Sequence, residues 1–164
     1  NQVDNVVVLS GDIHSSWCND LARNPWSPGY DAASGRGVVA VEFVTPAVSS
    51  PGPANGAPPA VAAALAAQLR QASPHMKYID LYQRGYVLLD VTRQRVQGEV
   101  YHVPTVDQRA SGEVLSAVYV NEAGANGLKP GAGPSVARPA ADPAIAPVPP
   151  RGRPGARARR GRPG

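Results

Sequence analysis

The 164 residues suffice for one domain and fall short of two ordinary ones. Hydrophobic residues make up 43% of the chain, enough for a core, and no 18-residue apolar run exists to span a membrane. The net charge of +4 is unevenly divided: residues 124–164 hold seven Arg and Lys129 against Asp142 alone, so residues 1–123 are net acidic and the basic balance does not make them a nucleic-acid binder.

In chain order, Val-Val-Val-Leu at 6–9 is a continuous apolar, β-branched run closed by Ser10-Gly11. It predicts a strand buried on both faces. The run starts almost at once, after a beginning without an initiator Met or signal peptide, which predicts a fragment lacking an upstream half. Asn24-Pro25-Trp26-Ser27-Pro28-Gly29 and Ala33-Ser34-Gly35 are turn-rich and predict a surface loop up to a second strand over 37–44, which Thr45-Pro46 stops. A Pro- and Gly-dense loop follows over 49–59. Residues 60–72 are strong helix formers between Pro58-Pro59 and Ser73-Pro74; their apolar positions are mostly Ala, so this helix packs closely while burying little area. Residues 85–91 and 97–103, around a five-residue connection, predict an antiparallel hairpin, with a short edge strand at 116–120. After Ala123 the periodicity ends. Residues 124–164, with 8 Gly and 9 Pro and no aromatic, are expected to form a disordered tail.

The segment with chemical potential is Gly11-Asp12-Ile13-His14. Residues i and i+2 of an extended segment point to one side, so Asp12 and His14 can converge beyond the carboxyl end of the first strand, where open α/β sheets place ligands. A carboxylate with an imidazole suits a divalent or trivalent ion. The competing reading makes Asp12 a turn or cap residue and His14 a hydrogen-bonded core residue. Cys18 is the only cysteine, which excludes an internal disulfide and a thiolate zinc cluster within the chain. It reads as a buried thiol, and Trp17 as a core or rim aromatic.

The stretch Val-Val-Val-Leu-Ser-Gly-Asp-Ile-His-Ser-Ser-Trp at 6–17, followed by Asn19-Asp20-Leu21, resembles the last metal-ligand segment of the PhoD-like branch of metallophosphoesterases. Val41-Glu42-Phe43-Val44-Thr45-Pro46, Ser49-Ser50-Pro51-Gly52, Pro74-His75-Met76-Lys77-Tyr78-Ile79-Asp80-Leu81 and residues 84–92 resemble later blocks of that family in the same order, so the resemblance covers about residues 4–106. It implies an α/β (α+β) fold: the C-terminal half, at 1–123, of a metallophosphoesterase-like α/β/α sandwich with a mixed sheet. It also implies hydrolysis of phosphate mono- and diesters by metal-activated water, calcium and iron as the metals, and a periplasmic or extracellular parent protein. Asp12 and His14 would be metal ligands, with Asp12 at a position where the wider superfamily has His, a change that suits an oxygen-preferring ion such as calcium. The family's upstream ligand motifs are absent from these residues, so the expected partner is a missing N-terminal half, and the chain alone is expected to be inactive.

Two further residues fall in the resembling blocks. His75 could approach the site from a loop, or simply end the helix. Arg84 could meet phosphate bidentately, or pair with Asp80 four residues earlier. His102 reads as structural. The alternative function is a non-catalytic binding module whose Arg-rich end, 151–162, contacts nucleic acid or anionic membrane; the same composition also arises from a run-on of GC-rich codons.

Overall fold

The computed structural model describes residues 3–108 and 112–136. The first sheet combines β1 (Val7–Ser10), β2 (Ser16–Ala22), β3 (Val38–Val44) and β4 (Met76–Asp80) in the order β1-β3-β2-β4. β1 runs parallel to β3, whereas β2 is antiparallel to both β3 and β4, so the sheet is mixed. The second sheet is antiparallel, with β5 (Arg84–Val91), β6 (Arg95–Val103), β7 (Val114–Glu122) and β8 (Lys129–Pro130) adjacent in chain order.

Alternation along the strands decides which side chains meet between the sheets. Cys18, Val41 and Phe43 from the first sheet bury themselves with Val100 of β6, and half-buried Val87, Leu89, Val96, Ala117 and Tyr119 close round them. Gly98 marks the tightest point of this core. A Cβ there would stand 2.2 Å from the Phe43 ring, so only glycine lets the ring lie against the β6 backbone. The intervening residues of the first sheet face the other way. There α1 (Pro59–Ala72) lays Ala62 and Ala66 against Ile79 and Leu81, a thin cluster in keeping with its alanines. Proline occupies the first helical turn, where its missing N–H costs nothing, and Arg70 lies in the last turn. Among the described residues the architecture is an α+β sandwich carrying one helix.

Several elements differ from expectation. The first connection is not all loop, because residues 16–22 form β2, the centre of the first sheet. Its polar residues conceal the strand: Ser15, Ser16, Asn19 and Asp20 are all buried. Residues 76–80 form β4, the edge beside β2. β1 is also an edge strand among the described residues, with Leu9 62% exposed, although its apolar run reads as covered on both faces. β7, of 9 residues, is nearly twice as long as the expected edge strand and lies inside its sheet.

The expected boundary at Ala123 is displaced as well. Leu128 is buried in the main core, β8 pairs with β7, and Ser135 donates its N–H to Glu99 Oε1 at 2.6 Å. These attachments are a single apolar anchor and backbone donors to buried carboxylates, which leave no periodic trace in sequence. Residues 137–164, including the Arg-rich end, lie outside the described residues.

Candidate functional site

β1 delivers the chain to Gly11, and the ladder with β3 continues one bond further as Thr45 N–H donates to Ser10 O at 2.9 Å. The chain then leaves extended geometry. Ile13 N–H donates to Gly11 O at 2.8 Å, closing a γ-turn centred on Asp12 with φ +68°, and His14 has φ +57°. Non-glycine residues in this region carry strain, and such strain concentrates at functional loops. Asp12 and His14 are thus presented by a γ-turn and a second positive-φ residue, and not by the simple i, i+2 alternation of an extended segment.

The loop is braced from below. Ser15 is fully buried and accepts the Trp17 indole N–H at 2.6 Å. From the side, the 49–56 loop closes in: His14 Nδ1 lies 2.9 Å from Pro51 O. A carbonyl only accepts, so Nδ1 carries the proton and donates. Nε2 is left with its lone pair outward, which is the tautomer of a metal-ligating histidine oriented by a backbone acceptor. Gly52 is part of the same contact. A Cβ on it would stand 2.7 Å from His14 O and 3.2 Å from Arg84 Nη1.

Arg84 therefore shares this corner with His14. Its Nη1 donates to Tyr82 O and its Nη2 reaches Asn55 Oδ1 at 3.5 Å, while Nε is buried without a partner. The alternative pairing of Arg84 with Asp80 is not made. Asp80 instead accepts the backbone N–H of Tyr82 at 2.9 Å and of Gln83 at 2.7 Å, capping the turn that leads into β5.

His75 is placed elsewhere. In the β2–β4 register Ser16 faces Asp80 and Asn19 faces Met76, so His75 stands at the end of β2 away from His14. Its carbonyl accepts Asp20 N–H at 2.8 Å, and its ring meets Trp26 edge-on at 5.4 Å. Burial lowers its pKa below the ordinary histidine range. The register thus sets His75 apart from His14: β4 carries the chain back toward His14 only after His75 has been left behind.

Cys18 is fully buried, and burial pushes its thiol up to about 12, which suits a core residue and neither a ligand nor a redox group. His102 is buried between Ser16 Oγ, 3.0 Å from its Nε2, and Ser116 Oγ, 2.7 Å from its Nδ1. Among the described residues no three His, Cys, Asp or Glu side chains come together as a metal cage. The contributions of Pro51, Gly52 and Asn55 were not singled out residue by residue in the sequence; the one trace was the Ser49-Ser50-Pro51-Gly52 block following the second strand.

Comparison with known proteins agrees with this fold. The family model described as PhoD-like phosphatase matches residues 1–100. Alkaline phosphatase D of Bacillus subtilis (strain 168) is 29% identical over 127 residues, which is 77% of this chain and 20% of that protein. A solved structure described as "Structure of PhoD" superposes with a TM-score of 0.59 over 82% of this chain and 24% of its own, at 22% identity, a likeness of fold. This chain spans a fifth of the length of the curated relative it matches. It belongs to the PhoD-like phosphatase family.

Proposed function

We propose that this chain supplies the last metal-ligand segment of a secreted phosphate-ester hydrolase, with Asp12 and His14 as ligands and Arg84 as a contact for substrate phosphate. The observation that carries the reading is the His14 tautomer: Pro51 O fixes the proton on Nδ1, so Nε2 is available as a donor atom. Asp12, exposed at the head of its strained turn, adds a carboxylate that suits calcium, with iron as the second metal by family resemblance. These two donors fit one side of a binuclear site and leave its coordination sphere incomplete. The remaining ligands would come from sequence equivalent to the part of the relative that this chain does not span.

Asp12 and His14 would hold part of the metal centre, which when bound would supply Lewis-acid activation of water and positive charge for the ester. The chain's own residues orient and hold. Pro51 O and the Ser15–Trp17 hydrogen bond fix the ligand loop, and Gly52 permits its close approach to the 49–56 loop. Arg84, whose guanidinium has no carboxylate partner among the described residues, places positive charge beside the loop for an anionic ester. The substrates are phosphomonoesters and phosphodiesters, and the parent protein acts in the periplasm or outside the cell. In the full-length parent, Asp12→Ala or His14→Ala should lower p-nitrophenyl phosphate turnover by several orders of magnitude and reduce bound metal. Unchanged turnover and metal content would refute the ligand assignment. The 164-residue chain alone should show no metal-dependent turnover above background.

A further inference from the structure

The face of the first sheet that carries α1 is only half covered. Strand register defines two cross-strand rows on it: Val8, Glu42, Asn19 and Met76 form one, and Ser10, Val44, Trp17 and Ile79 the next. Helix α1 packs at the β4 end, over Ile79. Beyond it, toward β1, lies a groove of about 350 Å³ lined by Ser10, Asn19 and Glu42, by Trp17, Val44 and Met76, and by Gly11 and Ile13 of the loop after β1.

The polar atoms in this groove are nearly all acceptors. Glu42 Oε1 accepts Ser10 Oγ–H at 2.8 Å, and Glu42 Oε2 accepts Asn19 Nδ2–H at 2.9 Å. A carboxylate cannot donate, so the Asn19 amide must turn its NH2 toward Glu42 and its oxygen away. That oxygen, Asn19 Oδ1, is buried without a partner, on a side chain only 8% exposed. Glu42 itself has no cationic partner among the described residues, since their ion pairs join Lys77 to Asp20 and Arg95 to Asp90. A half-buried carboxylate and an orphaned amide oxygen side by side are costly unless a cationic donor answers both.

We propose that this groove receives an arginine side chain presented by another polypeptide. The chemistry selects arginine over the alternatives. A hard metal ion needs six or more oxygens, and the groove offers four from three side chains. A free ammonium would leave the apolar walls unused. A guanidinium carries several donors in a planar fork, enough for Glu42 and Asn19 together, and its flat face and methylene stem suit Trp17, Val44 and Met76. Met76 is flexible enough to move aside and open the way to Asn19 Oδ1. The groove lies on the sheet face and borders the ligand loop at Gly11 and Ile13; the case from Glu42 and Asn19 does not depend on the ligand assignment.

Heteronuclear NMR of the full chain with N-acetyl-arginine amide as probe tests the groove, with the citrulline counterpart as an uncharged control of the same shape. The arginine probe should shift the Asn19 side-chain amide and Trp17 indole resonances saturably, and citrulline should not. Glu42→Gln should weaken the effect at least about tenfold. Absent shifts, equal shifts from citrulline, or shifts unchanged in Glu42→Gln would each overturn the proposal. Val8→Arg, which places a guanidinium opposite Glu42 within the same chain, should raise the unfolding midpoint and abolish the probe response; a lowered midpoint with the response intact would count against the groove.

Discussion

His102 shows how a single side chain ties the two sheets together and makes the fold sensitive to acid. It sits between Ser16 of β2 and Ser116 of β7, and burial lowers its pKa below the ordinary histidine range. A histidine with a depressed folded-state pKa binds fewer protons folded than unfolded, so stability is complete above about pH 6.5 and falls as the pH drops through that value. Glu99 acts with the same sign at lower pH. Burial alone would raise its carboxyl, but hydrogen bonds from Ser135, Gln97 and Tyr101 outweigh this and hold it low, so its contribution is lost as the pH falls through the ordinary glutamate range. Urea midpoints should therefore drop between about pH 7.5 and 5.5 in the wild type and drop less in His102→Gln; an equal drop would contradict the assignment. His75, shifted in the same direction by burial, contributes with the same sign. Gly52 is the residue where fold and site meet. A methyl group there runs into the His14 carbonyl at 2.7 Å, so Gly52→Ala should cost about 1–3 kcal/mol in thermal unfolding. In the full-length parent it should weaken metal binding by about 10–100-fold, because it displaces the acceptor that orients His14. At this scale the sequence was informative about the proposed ligand pair and silent about its support: Asp12 and His14 are visible as residue types, whereas the contact made by Pro51 belongs to its carbonyl, which every residue possesses.

Elements with regular apolar runs were legible and those with buried polar groups were not. β3, α1, β5 and β6 lie within two residues of their expected bounds because their hydrophobic spacing is set by local burial. β2 escaped because its buried residues are Ser, Cys, Asn and Asp, and the polar ones are bonded from a distance: Ser16 by His102, the Asn19 NH2 by Glu42, Asp20 by Tyr30, Lys77 and Leu128 N–H. The segment after Ala123 escaped for the same reason. Leu128 fills the core between the sheets while its N–H serves Asp20 at 2.8 Å. Leu128→Ala should consequently cost about 2–5 kcal/mol, read as a lowered thermal midpoint. A loss under about 0.5 kcal/mol, the size of an ordinary surface change, would mean that the segment is not part of the folded unit.

Across the whole molecule, the fold class followed from the family blocks and the β5–β6 hairpin from its short connection, while the pairing of strands in the first sheet did not. β1 joins β3 across β2, and β2 joins β4 across the helix, so the first sheet is assembled from contacts that no local pattern encodes. The price of that topology is slow closure, since distant segments must meet before their apolar faces are rewarded. Cys18 stands where these segments converge, the one thiol in the chain, fully buried against Val41, Phe43 and Val100. Its thiol is held almost entirely protonated at neutral pH and out of reach of any reagent. Modification by an aromatic disulfide should then proceed only through openings that part the two sheets, at a rate set by how often they occur. Stoichiometric labelling within seconds in native buffer would show that the sheets do not close over it. Otherwise the molecule carries an internal clock for its own opening, read as colour released from the reagent, and any occupant of the groove beside β1 that steadies the first sheet should slow that clock.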